Sequence, residues 1–550
     1  MKKSSHNHPR PLSAKVASRG TVAAAKNSQP AARKPTTEQQ NDTPPNGERL
    51  LEILMRRAQE HPDRVALRVK RQGRYHDINW QEYCVYTCEL AAGLLALGLE
   101  RGETLGLLSA NRPEFAYTDL ATMIAGGITV AIYTNTNPRE LIYILNHSEA
   151  RFLVIDNAEK YQKIVDIASE LEHLKHIILI EGQETVKPIT GIKLHRFAEI
   201  CQLGRTALTQ DESIITRSLA AIKPDNTAII IYTSGTTGPP KGAMLAHNNI
   251  DFICEKMFEM VPEFTEHETF ISYLPLPHAL ERIGCLYFSI YSGGTIGFAE
   301  KLETVAADIQ EIRPTVLYGV PRFYEKVYNG ILAAVQGGSW IKRKIFYWAL
   351  AVGQQAAQRQ LKGRRLSIAL RIKYWLADRL VFQKLRQRLG GRVKYIASGG
   401  APLSAAISEF FYSVGLPVME AYGATETSAP ATATRPDSLR FGTVGKPLPT
   451  VEVKIAEDGE ILIRSGGICK GYFKDPVTTA RTFVDGWYYS GDVGHFDTEG
   501  NLVITDRKKD LIITSAGKNI APQNIENLLK TSPYINQVMV HGDRRKYLTA

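Results

Sequence analysis

Little in this sequence invites a metal cage or a disulfide. Its six cysteines, Cys84, Cys88, Cys201, Cys254, Cys285 and Cys469, include no CxxC pair, so neither a zinc site nor a disulfide framework is indicated and a reducing cytoplasm fits. Long apolar runs are missing as well. Met1–Asn41 never gathers the apolar core of a secretory signal, and the longest apolar stretch, Leu120–Tyr133, is too short and too glycine-broken to span a bilayer. The expected location is cytoplasmic, at most peripheral at the inner face of a membrane. Acids are scarce in two places: residues 1–45 carry +6, and residues 340–394, whose single acid is Asp378, carry +14. With a net charge of +11 the remainder is acidic, so the basicity is local.

What is present suits a globular protein of more than one domain, with 44% hydrophobic residues in 550. Residues 1–45 are Ser-, Ala-, Asn-, Pro- and Lys-rich without apolar periodicity and are expected to be disordered; they are basic and acid-poor, as transit peptides are, but lack the amphipathic stripe. From Glu48 a helix (Leu50 to Ala58) leads to a strand (Val65–Val69), a helix (Tyr83–Leu97), a strand (Thr104–Leu108), a helix (Leu120–Gly126) and a strand from Val130. Alternating strands and helices predict a largely parallel sheet covered on both faces. Asn111-Arg-Pro-Glu and Asn146-His-Ser-Glu fall at turns, where helix capping is at least as good a reading as contact with a ligand.

The densest chemistry lies in Ile231-Tyr-Thr-Ser-Gly-Thr-Thr-Gly-Pro-Pro-Lys-Gly242, after an Ile-rich strand, Thr227–Tyr232. Gly235, Gly238 and Gly242 free the backbone to aim N–H groups at one oxyanion, Thr233, Ser234, Thr236 and Thr237 add hydroxyls, and Lys241 adds a cation. The loop suits a polyphosphate. It is not a Walker A loop, because Gly242 follows the lysine where a Ser or Thr is required.

This string resembles the phosphate loop of the AMP-forming adenylating enzymes, which include acyl-CoA synthetases, luciferases and peptide-synthetase adenylation domains. Further stretches resemble the long-chain fatty acyl-CoA synthetase branch: Tyr273-Leu-Pro-Leu-Pro-His278, Tyr318-Gly-Val-Pro-Arg322, Ser398-Gly-Gly-Ala-Pro-Leu403, Tyr422-Gly-Ala-Thr-Glu426, and Asp485-Gly-Trp-Tyr-Tyr-Ser-Gly-Asp-Val-Gly494 continuing to Asp506-Arg-Lys-Lys-Asp510. The resemblance runs from about residue 48 to the end. It implies ATP, Mg2+ and CoA, with an ATP-dependent activation of a long-chain fatty acid to acyl-AMP and transfer to CoA. A ligase loading a carrier-protein thiol, or a non-catalytic acyl- or nucleotide-binding protein, would share most of these motifs.

Carried over residue by residue, the resemblance makes Lys241, Thr425, Glu426 and Arg507 the catalytic set. Gly399, Gly400, Ala401 and Pro402 back the adenine, Tyr422 and Gly423 stack beneath it, Thr425 touches the α-phosphate and Glu426 holds magnesium. Asp492 takes the ribose hydroxyls and Arg507 reaches ribose or phosphate. His278, Gly319, Val320 and Gly399 line the acyl site, Lys509 is the hinge, and Gly517 and Lys518 belong to a loop that acts in thioester formation.

The expected fold is α/β: a large domain (46–506) of doubly wound sheets with a small β-rich subdomain, then the start (507–550) of an incomplete α+β lid. Ile535–Val540 reads as a strand, Gly542-Asp-Arg-Arg as a turn and Tyr547–Ala550 as the beginning of its partner, so this segment should be frayed or docked on the large domain. The lysine that family members carry beyond this point is not in the sequence, which predicts weak adenylation. Residues 340–394 interleave their cations with Trp340, Phe346, Trp348, Tyr374, Trp375 and Phe382, and the spacing of Ile372, Leu376, Leu380 and of Val381, Leu385, Leu389 is helical. They fit a peripheral contact with anionic membrane or a funnel for CoA phosphates; nucleic acid is not expected, because no recognised motif accompanies the charge.

Overall fold

The computed structural model describes residues 47–182, 186–233, 238–261, 263–435, 437–513, 519–529, 535, 537–545 and 547–550. Two large sheets carry the fold. The first has seven strands in the order 193–196, 176–179, 152–155, 104–108, 128–131, 227–233 and 241–246, parallel except for its last pair. Its central strands, such as Phe152–Ile155 and Thr104–Leu108, are buried along their whole length, as strands covered on both faces must be. The second sheet has nine strands. Its parallel centre (395–398, 316–319, 269–272, 295–298) is flanked by antiparallel additions at both edges.

Helices cover these sheets. Trp80–Ala96 and Phe197–Gln210 cross so closely that a Cβ on Gly204 would lie 1.7 Å from the Glu89 carbonyl oxygen, and one on Gly93 would lie 2.1 Å from that of Ile200. Glycine at both positions lets the backbones touch. The third helix of the first half begins earlier than the apolar pattern suggests, at Pro113, because proline at a helix start lacks only an N–H that would go unbonded anyway.

Behind the large sheets, 452–455, 460–464, 483–484, 487–496 and 502–507 form a five-stranded antiparallel sheet. The remaining chain is a two-stranded ladder (512–513 with 519–520) and a helix, Pro522–Leu529, which docks where the Gln523 N–H reaches Asp506 Oδ2 at 3.5 Å. The turn at Gly542 forms, with Arg545 N–H donating to the Gly542 carbonyl. The expected strand Ile535–Val540 does not appear among the described residues; pairing is confined to His541 with Thr549, and Val540 N–H is taken by Glu526 Oε1 at 2.8 Å.

Candidate functional site

Strand 227–233 does not simply feed a loop; it returns antiparallel as Lys241–Ala246, with Thr233 opposite Lys241 and Tyr232 opposite Gly242. Ser234, Gly235, Thr236 and Thr237 lie outside the described residues. Lys241 opens the return strand. Its Nζ sits 5.3 Å from the centroid of the Tyr472 ring, a cation–π contact. Tyr472 comes from a segment that pairs with the return strand: Met244 N–H donates to the Gly471 carbonyl and Phe473 N–H to that of Gly242.

The Tyr472 hydroxyl donates to Glu426 Oε1 at 2.7 Å, so one ring links Lys241 to Glu426. Glu426 lies in a short turn, Thr425–Thr427, directly after strand Val418–Ala424, and the turn closes with Ser428 and Ala429 at positive φ. A strained exit of this kind aims side chains past the strand end. Within the same strand, the Tyr422 hydroxyl donates to Asp492 Oδ2 at 2.8 Å. Asp492 and Arg507 are register partners on adjacent strands of the five-stranded sheet, with Arg507 Nε 3.4 Å from Asp492 Oδ1. Burial raises the Asp492 pKa, against the opposing pull of the Tyr422 hydroxyl and the Arg507 charge. Next in sequence, Lys508 turns away to Asp458 and Glu460, whereas Arg507 and Lys509 both face the crevice.

Lys241, Tyr422, Thr425, Glu426, Tyr472, Asp492, Arg507 and Lys509 line one crevice of about 980 Å³ that continues into an apolar arm walled by Met257, Met260, Phe264, Gly284, Phe288 and Tyr318. His278 stands on its wall. The imidazole Nδ1 accepts the Leu280 N–H at 3.1 Å, which leaves Nε2 as the site for the neutral ring's proton, and burial of the ring lowers its pKa. Asn111, expected as a cap, instead clamps this loop: its Nδ2 donates to Ser272 Oγ at 2.8 Å and to the Leu274 carbonyl at 2.6 Å, while Oδ1 accepts Leu276 N–H at 3.2 Å. Asn146 likewise bridges to 170–172, with His147 Nδ1 at 2.8 Å from the Tyr232 hydroxyl. Behind the arm, Arg282 and Tyr287 converge on the buried Asp119 at 2.8 and 2.6 Å, tying the wall segment to helix Pro113–Ile124.

Of the residues singled out from sequence, Thr233, Lys241, His278, Gly399, Gly400, Tyr422, Gly423, Thr425, Glu426, Asp492, Arg507 and Lys509 line the crevice. Gly238, Gly319, Val320, Ala401 and Pro402 are not among its lining residues; Tyr318 stands on the wall where Gly319 was expected, and Gly319 packs against the Tyr324 ring. Gly517 and Lys518 fall outside the described residues. Sequence reasoning missed Tyr472 and the walls of the apolar arm. The spacing of Met257, Met260, Val261 and Phe264 was available as a signal, but it is also that of an ordinary core-facing helix.

The profile of the AMP-binding enzyme family matches residues 54–473. Over 513 residues the chain is 34% identical to the Xenopus laevis long-chain-fatty-acid–CoA ligase ACSBG2, covering 90% of this chain and 68% of that one. It is 32% identical over 499 residues to the Mycobacterium tuberculosis long-chain-fatty-acid–CoA ligase FadD15, covering 90% and 80%. Among solved structures, it is similar to the anthranilate CoA ligase AuaEII in complex with anthranoyl-AMP, with a TM-score of 0.69 and 21% identity over 90% of this chain and 85% of that one. The o-succinylbenzoate CoA synthetase MenE from Bacillus subtilis, in complex with ATP and magnesium ion, gives 0.64 and 22% over 90% and 88%. At these identities the structural likeness is one of fold.

Proposed function

The chain belongs to the AMP-binding enzyme family, and from that membership we propose how its crevice activates a long-chain fatty acid to acyl-CoA by way of acyl-AMP. A single observation carries the reading: one continuous cavity is lined by Lys241, Arg507, Glu426 and Asp492 together with an arm of Met, Phe and Tyr side chains. Such a cavity holds a polar anhydride and a hydrocarbon chain together.

The fatty carboxylate attacks the α-phosphorus of ATP, the bond to pyrophosphate breaks, and a thiol then displaces AMP from the mixed anhydride. No side-chain nucleophile is required, so positioning and charge stabilisation do the chemistry. Lys241, at the start of the return strand, faces the phosphates, and Arg507 approaches from the five-stranded sheet. Asp492 accepts the ribose hydroxyls, with Tyr422 beneath the base and Thr425 at the α-phosphate. His278 offers its Nε2 proton to the acyl carboxylate side.

Glu426 fits a magnesium ion. Among the described residues no three His, Cys, Asp or Glu gather into a cage, and magnesium at a nucleotide takes one or two carboxylates with phosphate oxygens completing its shell. When bound there, the ion would neutralise phosphate charge. CoA as the acceptor belongs to the same reading.

The test is fatty-acid-dependent exchange of labelled pyrophosphate into ATP, together with AMP release on adding CoA. Exchange that rises with a long-chain acid is expected. Binding of ATP and acid with no exchange and no AMP would sink the enzymatic reading.

A further inference from the structure

Residues 340–388 form a helical pair, Trp340–Leu361 and Ile368–Ala377, the second continuing through a widened turn at Asp378–Phe382 into Gln383–Arg388. We propose that this pair docks the protein on an anionic bilayer, its connecting corner taking the phosphate of a phospholipid headgroup and its outer stripe entering the acyl boundary.

The corner holds a cleft of about 420 Å³. Arg359, Lys362, Arg364 and Lys373 rim it, with Ser367 and Gln355, and no carboxylate is among its lining residues. None of those four cations has an ion-pair partner among the described residues; Asp378, the only acid in the segment, is engaged by Arg386 at 2.7 Å. The start of the second helix borders the cleft with Ala369 and Leu370 on its wall, the Leu370 N–H being capped by Ser367 Oγ at 3.3 Å. Four cations without ion-pair partners among the described residues, gathered where the first helix ends and the second begins around a hollow of this size, are complementary to a phosphate ester.

Beside the cleft, the second helix turns an apolar stripe outward. Ile368 (70% exposed), Ile372 (57%), Trp375 (57%), Leu376 (39%) and Leu380 (47%) recur at intervals of three and four, while Leu370, Ala377 and Phe382 face the core. Trp340, Ile341, Ile345 and Trp348 are exposed on the first helix as well. Arg371, Lys373, Arg379 and Lys384 flank the stripe, and Arg379 and Lys344 sit over the Trp375 and Trp340 rings at 5.8 and 4.9 Å. Exposed apolar side chains edged by cations, with tryptophans carrying cations, are the composition of a helix that lies in a membrane interface. The same cations argue against a path for CoA phosphates, because none of the residues lining the large crevice comes from 340–394.

The full chain is floated with vesicles of phosphatidylcholine alone, or of phosphatidylcholine with phosphatidylglycerol, at low and high salt. Neither ATP nor fatty acid is present, so the result is independent of the adenylation reading. Binding to the anionic vesicles is expected to be at least about tenfold stronger and to fall with salt, each cation near the surface being worth roughly fivefold. Lys362→Glu with Arg364→Glu should lower it by about 25-fold or more, on the same basis. Ile372→Ser with Trp375→Ser should lower it while leaving the salt dependence in place. Unchanged melting temperatures identify both as folded, since all four side chains are exposed. Equal binding to neutral vesicles, or parental binding by both variants, overturns the proposal. Release from vesicles by inorganic phosphate at constant ionic strength would assign the cleft to a free anion instead. Self-association that the Ile372→Ser/Trp375→Ser variant abolishes, without vesicle binding, would assign the stripe to a second copy.

Discussion

At the polar end of the crevice each functional side chain is held by a partner a few ångströms away: Lys241 by the Tyr472 ring, Glu426 by the Tyr472 hydroxyl, Asp492 by Tyr422 and Arg507. In the apolar arm, by contrast, Met257, Met260, Phe264 and Phe288 define only a shape. A change at the polar end should alter the rate of the chemistry whatever the acid, whereas a change in the arm should alter which acid is accepted.

The largest effect expected is at the polar end. Lys241→Ala or Glu426→Gln should slow fatty-acid-dependent pyrophosphate exchange by about 10²–10³-fold, the usual cost of one preorganised charge-stabilising group, with fatty-acid binding unchanged. Normal exchange in either variant would remove that residue from the phosphate site.

The arm answers to a different substitution. A Cβ on Gly284 would find its nearest neighbours at 3.7–4.0 Å, so a side chain there enters the cavity without forcing the backbone. Gly284→Leu should therefore lower kcat/KM for long-chain acids by about 10–100-fold while leaving short acids within about threefold. Equal losses for acids of all lengths would blur the distinction between the two ends.

Tyr472→Phe, which removes one hydrogen bond to a carboxylate but keeps the ring under Lys241, should cost roughly tenfold in exchange, less than either charge removal. A loss as large as that of Glu426→Gln would mean the hydroxyl, not the carboxylate, does the work.

The smallest effect concerns stability. Glu281, buried behind His278, accepts the Tyr273 N–H, and burial pushes its pKa up to about 8. A carboxyl that is raised when folded ionises first in the unfolded chain, so its contribution is whole at low pH and is lost as pH rises from the unfolded value toward 8. Glu281→Gln, which imitates the protonated form, should raise the melting temperature by about 2 °C at pH 8.5 and by far less near pH 4, where the carboxyl is protonated in both states. An increase of the same size at both pH values would rule out ionisation as the cause.

The same contrast explains what could be read from sequence. Lys241, Tyr422, Glu426 and Asp492 sit in glycine- and hydroxyl-rich strings because the backbone itself must turn beyond a strand end, and that demand leaves a local mark. Alternation of strands and helices gave the parallel sheets, and the basic helices of 340–394 followed from their spacing. Met257 and Phe288 left no such mark, since a side chain facing a cavity and one facing a neighbour obey the same period. The return strand Lys241–Ala246 was hidden because one of its two partners, 470–473, comes from a distant part of the chain. Ile535–Val540 failed as a strand because Val540 N–H goes to a side chain, Glu526, in place of a ladder.

Lys241–Ala246 is also the last strand of the seven-stranded sheet, and a last strand ordinarily presents bare N–H and C=O groups to any other chain that can pair with them. Here residues 470–473 occupy that row, through Met244 with Lys470 and Gly471 and through Gly242 with Phe473. The segment that sets Tyr472 between Lys241 and Glu426 thus doubles as a guard against edge-to-edge pairing. A chain with the sheet formed but 470–473 not yet laid down would still present that row, so covering the edge and placing the Tyr472 ring are one event.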